Sequence, residues 1–307
     1  MVNDMTTMND VFGGADLAEA MGFGDMANSG GNNESSLPVL SQLYKAQKGV
    51  MDVHGKSMTV ETVAGGAYKL RLADGTEVFS EKPTIRIFMQ RFYYQRYEKF
   101  AVPTEDREGR MFRTTMALSL SKGDLKDNYG TFNCGRPGGY IKDYDSLGGP
   151  LRDIVKQTKR VMAVFGTVVM TDATDANGNP IDGFSEPQPF VLHVKNRYSY
   201  KAMETVVKAI LKGNMLPVQR NVVMSGDSEA LPNGELNHFI VTTPDSTVDV
   251  SQEDQQLMRD FIAYVEHHNK VISDMWAKAT TATMDEPERG FIDQFVNVDM
   301  SADEDVA

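Results

Sequence analysis

Residues 86–100 read RIFMQRFYYQRYEKF, a run of Arg, Phe and Tyr with a single acid, Glu98. Flat rings interleaved with guanidinium groups suit non-covalent binding of single-stranded nucleic acid. Bases stack on Phe or Tyr for about 1–3 kcal/mol each, while Arg and Lys track the phosphates. The run predicts a strand, and strand side chains alternate between two faces. Ile85, Ile87, Met89, Arg91, Tyr93 and Tyr97 then share one face, and Arg86, Phe88, Gln90, Phe92, Tyr94 and Arg96 share the other. Stacking falls to Phe88, Phe92 and Tyr94, with Tyr93 a further ring; Arg86, Arg91 and Arg96 meet phosphates. A core strand with an amphipathic outer face has the same composition. Phe and Tyr favour strands in any case, and Arg often lies over aromatic rings.

Further basic side chains cluster in two short segments. LRDIVKQTKR carries Arg152, Lys156, Lys159 and Arg160 at near-helical spacing. HVKNRYSYK carries Lys195, Arg197 and Lys201 beside Tyr198 and Tyr200, at a strand-to-helix junction. Lys156, Lys159, Arg160, Lys195 and Arg197 are additional phosphate candidates, although a charge run more often forms a solvated face.

Catalytic and metal signatures are missing. The five histidines form no HExxH or paired HxH motif. Cys134 is the one cysteine and has no histidine near it in sequence, so a thiol nucleophile has no support. TDATDANGNPID resembles part of a calcium loop but lacks the Glu at position twelve and the D-x-D-x-D-G register. CGRPGGY, residues 134–140, offers exposed backbone N–H groups that suit a phosphate. It lacks the Gly-Lys-Ser/Thr ending of a P-loop, and a plain glycine turn is the expected form. A non-catalytic protein with no cofactor and no metal is expected.

Charge is divided unevenly. The chain of 307 residues carries net −12. Residues 1–44 hold six acids and no Lys or Arg, and residues 285–307 hold eight acids and only Arg289. The ends therefore carry −6 and −7, and the body between them +1. No apolar run approaches the ~20 residues of a membrane span. The N-terminus has no basic segment followed by an apolar one, so no signal peptide is expected. A single cysteine suits a reducing cytoplasm.

The elements that position these residues follow from periodicity and turn chemistry. Residues 1–36, rich in Met, Gly, Asn and Ser, predict a disordered acidic arm. LPVLSQLYKAQKG (37–49) predicts a short helix. AYKLRLADGTEVFS predicts a hairpin turning at Asp74-Gly75. MFRTTMALSL, VMAVFGTVVM, PFVLHVKN, VQRNVVMS and NHFIVTT predict strands. SYKAMETVVKAILKG predicts a helix capped by Ser199, and SQEDQQLMRDFIAYVEHHNKVISDMWAKA a long one capped by Ser251 and Asp254. LRDIVKQTKR predicts a further short helix. The fold class is α+β: a mainly antiparallel, OB-like β-barrel with covering helices over 37–279, between disordered acidic termini at 1–36 and 280–307.

The acidic C-terminal segment sets Phe291, Ile292 and Phe295 among carboxylates and ends in Asp303, Glu304 and Asp305. Aromatics that fill a pocket and acids that meet its basic rim make a partner-binding motif. This layout resembles phage single-stranded DNA-binding proteins of OB-fold type: a β-rich body, an Arg/aromatic strand and an acidic C-terminal tail. RVMAVFGTVVM, PFVLHVKN and YSYKAMETVVKAIL also look like a pattern in phage replication-region proteins. The resemblance covers about residues 45–307 and rests on architecture. It implies protection of single-stranded DNA in replication and recombination in the host-cell cytoplasm, with the tail recruiting phage DNA polymerase and helicase-primase. Two features depart from it. The chain closes as DEDVA without a terminal aromatic, and the N-terminal arm is acidic. A virion structural or assembly protein is the second reading.

Overall fold

A computed structural model describes residues 37–279, apart from 54–55, 105–106, 123, 139–140, 232–233 and 243–246. The partner-binding candidates Phe291, Ile292, Phe295, Asp303, Glu304 and Asp305 lie outside the described residues. The strands are β1 Val39–Gln42, β2 Gln47–Val53, β3 Lys56–Val63, β4 Tyr68–Arg71, β5 Glu77–Ser80, β6 Thr84–Thr104, β7 Arg107–Arg113, β8 Lys159–Val169, β9 Gln188–Val194, β10 Asn221–Leu231 and β11 Gly234–Thr242. The helices are α1 Gly149–Gln157, α2 Arg197–Lys212 and α3 Gln252–Ala279. None of these helices is long and apolar enough to cross a membrane.

The main sheet runs β11-β10-β6-β8-β9-β1-β4-β5, with β7 paired to the far end of β6. Its pairs are antiparallel except β1 with β9. β2 and β3 form a separate ribbon. The sheet curls until β10 meets the β3–β4 turn. The Tyr68 hydroxyl donates to the Ser225 carbonyl at 3.1 Å. A side chain at Gly226 would lie 2.6 Å from the Gly66 carbonyl oxygen, so only glycine lets the two backbones touch. The architecture is thus mixed α/β, a curled half-barrel of mainly antiparallel strands with three helices.

Both faces of the sheet's centre are covered, which explains why β8 is apolar almost throughout. One face packs under α2, whose Met203, Val206, Val207 and Ile210 meet Leu40, Leu70, Ile85, Ile87, Met162, Val164 and Phe190. The other packs under α3, whose Phe261 and Val265 meet Leu37, Met89, Tyr93, Val161, Phe165 and Val191. Residues 37–49 form β1 and the start of β2 rather than a helix. Leu37, Leu40 and Leu43 are spaced like a helical stripe, but each is buried in a different cluster. A strand between two neighbours and covered on both faces shows no period-two signal.

Caps and boundaries refine the helices. Asn196, not Ser199, caps α2: its side-chain oxygen accepts the N–H groups of Tyr198 and Ser199. Ser251 and Asp254 cap α3 reciprocally as expected, with Asp254 N–H donating to Ser251 Oγ and Ser251 N–H to Asp254 Oδ2. The predicted helix at 151–160 stops at Gln157, which leaves Lys159 and Arg160 on β8.

The largest correction concerns β6. Ile87 pairs with Gly166 and Met89 with Phe165, so Phe88 is an extra residue in the ladder. A bulge of one residue reverses the alternation beyond it. Arg86 and Phe88 point to the α3 face with Met89, Arg91 and Tyr93, whereas Phe92, Tyr94 and Arg96 point to the other. Strict period-two counting had placed Arg86, Phe88, Phe92, Tyr94 and Arg96 on one face.

Candidate nucleic-acid interface

On the α3 face the sequence candidates are engaged in the fold. The Arg86 guanidinium donates to both carboxylate oxygens of Asp254, at 3.1 and 2.9 Å, and twice to the Val218 carbonyl. It ties β6 to the first turn of α3. Phe88 stacks edge-on against Phe261 with ring centroids 6.0 Å apart. Tyr93 is buried, its hydroxyl 3.1 Å from His193 Nδ1 and its ring 4.4 Å from the Arg113 guanidinium. Arg91 is half-buried and donates to the Gln90 carbonyl. Burial and the Arg113 charge hold His193 and His268 well below the usual histidine range, so both rings are neutral at pH 7.

On the α2 face Tyr94 and Arg96 anchor a loop. Residues 120–138 fold against the β6–β7 hairpin without regular strands. Arg96 lies 4.0 Å from the Phe112 ring, and its Nε donates to the Cys134 carbonyl. Tyr94 is buried beside Phe112 and Cys134. The turn is tightly wound: Asn133 and Cys134 have φ of 53° and 55°, and Gly135 follows at 84°. It delivers Arg136 over the Tyr94 ring at 5.9 Å.

Asp127 holds this loop from within. Its Oδ1 accepts the N–H groups of Tyr129 and Thr131 at 2.9 and 2.8 Å. Burial pushes its carboxyl up to about 6, against the pull of those N–H groups and of Arg96 and Arg110. A folded-state value above the unfolded 3.8 means that the contribution of this group to stability is full below pH 3.8 and is lost as pH rises through 6. The neutral histidines act in the opposite direction and lose stability as pH falls below about 6.5. Asp127→Asn keeps the Oδ1 acceptor and removes the buried charge. Chemical unfolding is expected to find the variant more stable than the native protein by up to about 3 kcal/mol at pH 8, with the difference vanishing near pH 3.8. A variant less stable at pH 8 would show that the charge is needed by Arg96 and Arg110.

The remaining candidates meet at one end of the sheet. Met162 pairs with Val194, so the start of β8 lies beside the end of β9. α1 leads into the first and α2 leaves the second. This brings Lys156, Lys159, Arg160, Lys195 and Arg197 to one end of the sheet, with Lys156, Arg160 and Arg197 exposed; Arg160 leaves the Phe92 face, whereas Lys159 and Lys195 turn toward the α3 face. Among the described residues, Arg136, Lys156, Lys159, Arg160 and Arg197 pair with no carboxylate. Beside the rim stand two half-buried rings, Phe92 and Tyr200, with centroids 6.4 Å apart. Tyr198, two residues before Tyr200 in α2, is exposed.

Of the strand candidates, the structure brings only Phe92 and the Tyr94 floor to this rim. Arg136 and Tyr200 complete it, and sequence reasoning had not selected either as a site residue. Tyr200 stood in a noted basic segment, but its meeting with Phe92 depends on where α2 docks. Among the described residues no group of three His, Cys, Asp or Glu side chains is placed to hold a metal ion. Comparison with protein-family models, with curated proteins and with solved structures finds no match for the chain.

Proposed function

We propose that the protein is a non-catalytic single-stranded DNA-binding protein whose interface is the rim formed by β6, the start of β8 and the start of α2. The observation that carries this reading is the set of carboxylate-free cations gathered beside the half-buried rings Phe92 and Tyr200. Like charges repel, and a fold that gathers them outside ion pairs is suited to an anionic partner. Rings next to cations add stacking, which sequence-tolerant single-strand binding requires. Phe92 and Tyr200 take the bases, and Lys156, Arg160 and Arg197 follow the phosphates. The curled sheet supports an OB-like scaffold. In this reading the acidic C-terminal segment recruits replication partners and competes with the strand for the basic rim.

Binding of fluorescent oligo-dT across a salt series tests this directly. Tight binding that weakens steeply with salt is expected, and it strengthens when the chain is truncated after Met284. Phe92→Ala and Tyr200→Ala are each expected to cost about 1–3 kcal/mol of affinity in variants whose circular dichroism is native. The proposal fails if neither the full chain nor the truncated one binds at low salt.

A further inference from the structure

Arg136 and Arg160 form an arrangement that general single-strand binding does not explain. In the β6–β8 ladder Arg160 is the direct cross-strand partner of Tyr94, so both side chains leave the same face of the sheet. Arg136 comes from a different part of the chain, and its guanidinium lies 5.9 Å from the centre of the same ring. Two arginines 24 positions apart in the sequence thus meet at one tyrosine, Arg136 over its ring and Arg160 beside it on the neighbouring strand. The two charges repel: burial lowers the Arg136 pKa and the Arg160 charge lowers it further. Neither arginine forms an ion pair with a carboxylate among the described residues.

Arg136 is also poorly satisfied where it stands. Its Nε is buried and has no hydrogen-bond partner. A buried donor without an acceptor is costly, and the charge on it raises the cost. The segment that delivers it is nevertheless fixed. Asn133 Oδ1 accepts the Leu125 N–H at 2.9 Å, the Arg136 N–H donates to the Asn133 carbonyl, and the neighbouring carbonyl of Cys134 is held by Arg96. The loop therefore spends its hydrogen bonds on presenting a guanidinium that lacks an acceptor.

We propose that Arg136 and Arg160 clamp one and the same phosphate, the phosphodiester adjoining a base stacked on Phe92 and Tyr200. This rests on the single-strand reading above and narrows it to a defined nucleotide subsite. A phosphodiester supplies what the pair lacks: a negative charge between two positive ones, and oxygens that accept from both planar forks. Phe92, two residues before Tyr94 on the same face, carries the adjoining ring.

The test compares oligo-dT binding over a salt series for the native protein, Arg136→Gln, Arg160→Gln and the double variant, each with a native unfolding transition. Each phosphate contact on a single strand contributes about 0.7 to the slope of log affinity against log salt. One shared phosphate is a single contact, so the double variant loses about 0.7 in all and neither single variant loses more than that. Arg136→Lys keeps the charge and so keeps the slope, while affinity falls because the fork is lost. A loss of about 1.4 in the double variant would mean two separate phosphates and would overturn the clamp. Unchanged slopes in all variants, with the native protein still binding, would also overturn it and leave the single-strand reading standing. Absence of binding by the native protein would remove both.

Discussion

Gly166→Ala is expected to destabilise the protein by about 3 kcal/mol or more, a large share of the stability of a typical domain. A Cβ at this position would lie 1.9 Å from the Arg86 carbonyl oxygen and 3.3 Å from the Phe190 ring. The first of these atoms is backbone and belongs to the longest strand, so no side-chain rotation relieves the contact. Gly166 sits opposite Ile87, next to the extra residue Phe88, where the ladder bends. Straightening the bulge would either reverse the faces of Met89, Arg91 and Tyr93 or carry Arg86 away from Asp254. Either response disrupts a core. Urea unfolding followed by tryptophan fluorescence and circular dichroism measures the loss. An alanine variant within 1 kcal/mol of the native protein would mean that the bulge is not required. The position also bears on the interface, because the bulge turns Phe92 toward the rim.

The sequence made the scaffold legible where local chemistry and packing agree. The Asp74-Gly75 turn, with Gly75 at φ 86° and the Asp74 carboxylate accepting the Thr76 N–H, needs no tertiary help. The stripe of α3 and its cap are likewise local, and Phe261, Val265, His268, Ile272 and Met275 are all buried as spaced. β1 was not legible, because a strand covered on both faces has no alternation to read. The bulge at Phe88 was not legible either: it is written in β8, as a glycine 78 residues away in a run that otherwise reads as an ordinary buried strand. The candidate site inherits both limits. Its basic segments were visible as composition, but their convergence depends on β8 starting beside the end of β9. Arg136 was visible only as part of a glycine turn. Its proximity to Arg160 comes from the 120–138 loop folding on the β6–β7 hairpin, and no periodicity encodes that.

Phe261→Ala separates the two faces of the sheet and so tests where the interface lies. Phe261 is fully buried, with ring centroids 6.0 Å from Phe88 and 5.7 Å from Phe165. It packs α3 against Phe88 in the bulged part of β6. Truncating a buried Phe to Ala typically costs about 3–5 kcal/mol, through lost transfer energy and the cavity left behind. A loss of that size is expected in urea unfolding, with α3 detaching more readily than the sheet unfolds. Affinity for oligo-dT is expected to stay within twofold of native at a temperature where the variant is folded, because Phe92, Tyr200, Arg136 and Arg160 lie on the opposite face. Arg86→Ala provides a second measure on the same side. It leaves Asp254 without its ion pair, yet it too is expected to preserve the salt slope, since Arg86 donates to Asp254 and Val218 and belongs to the α3 face. If either variant loses affinity while still folded, the strand runs along the α3 face and the rim assignment is wrong. If both keep it while Tyr200→Ala loses it, the bases stack on Phe92 and Tyr200, which the bulge and α2 bring together, and not on Phe88, which simple alternation had placed beside Phe92.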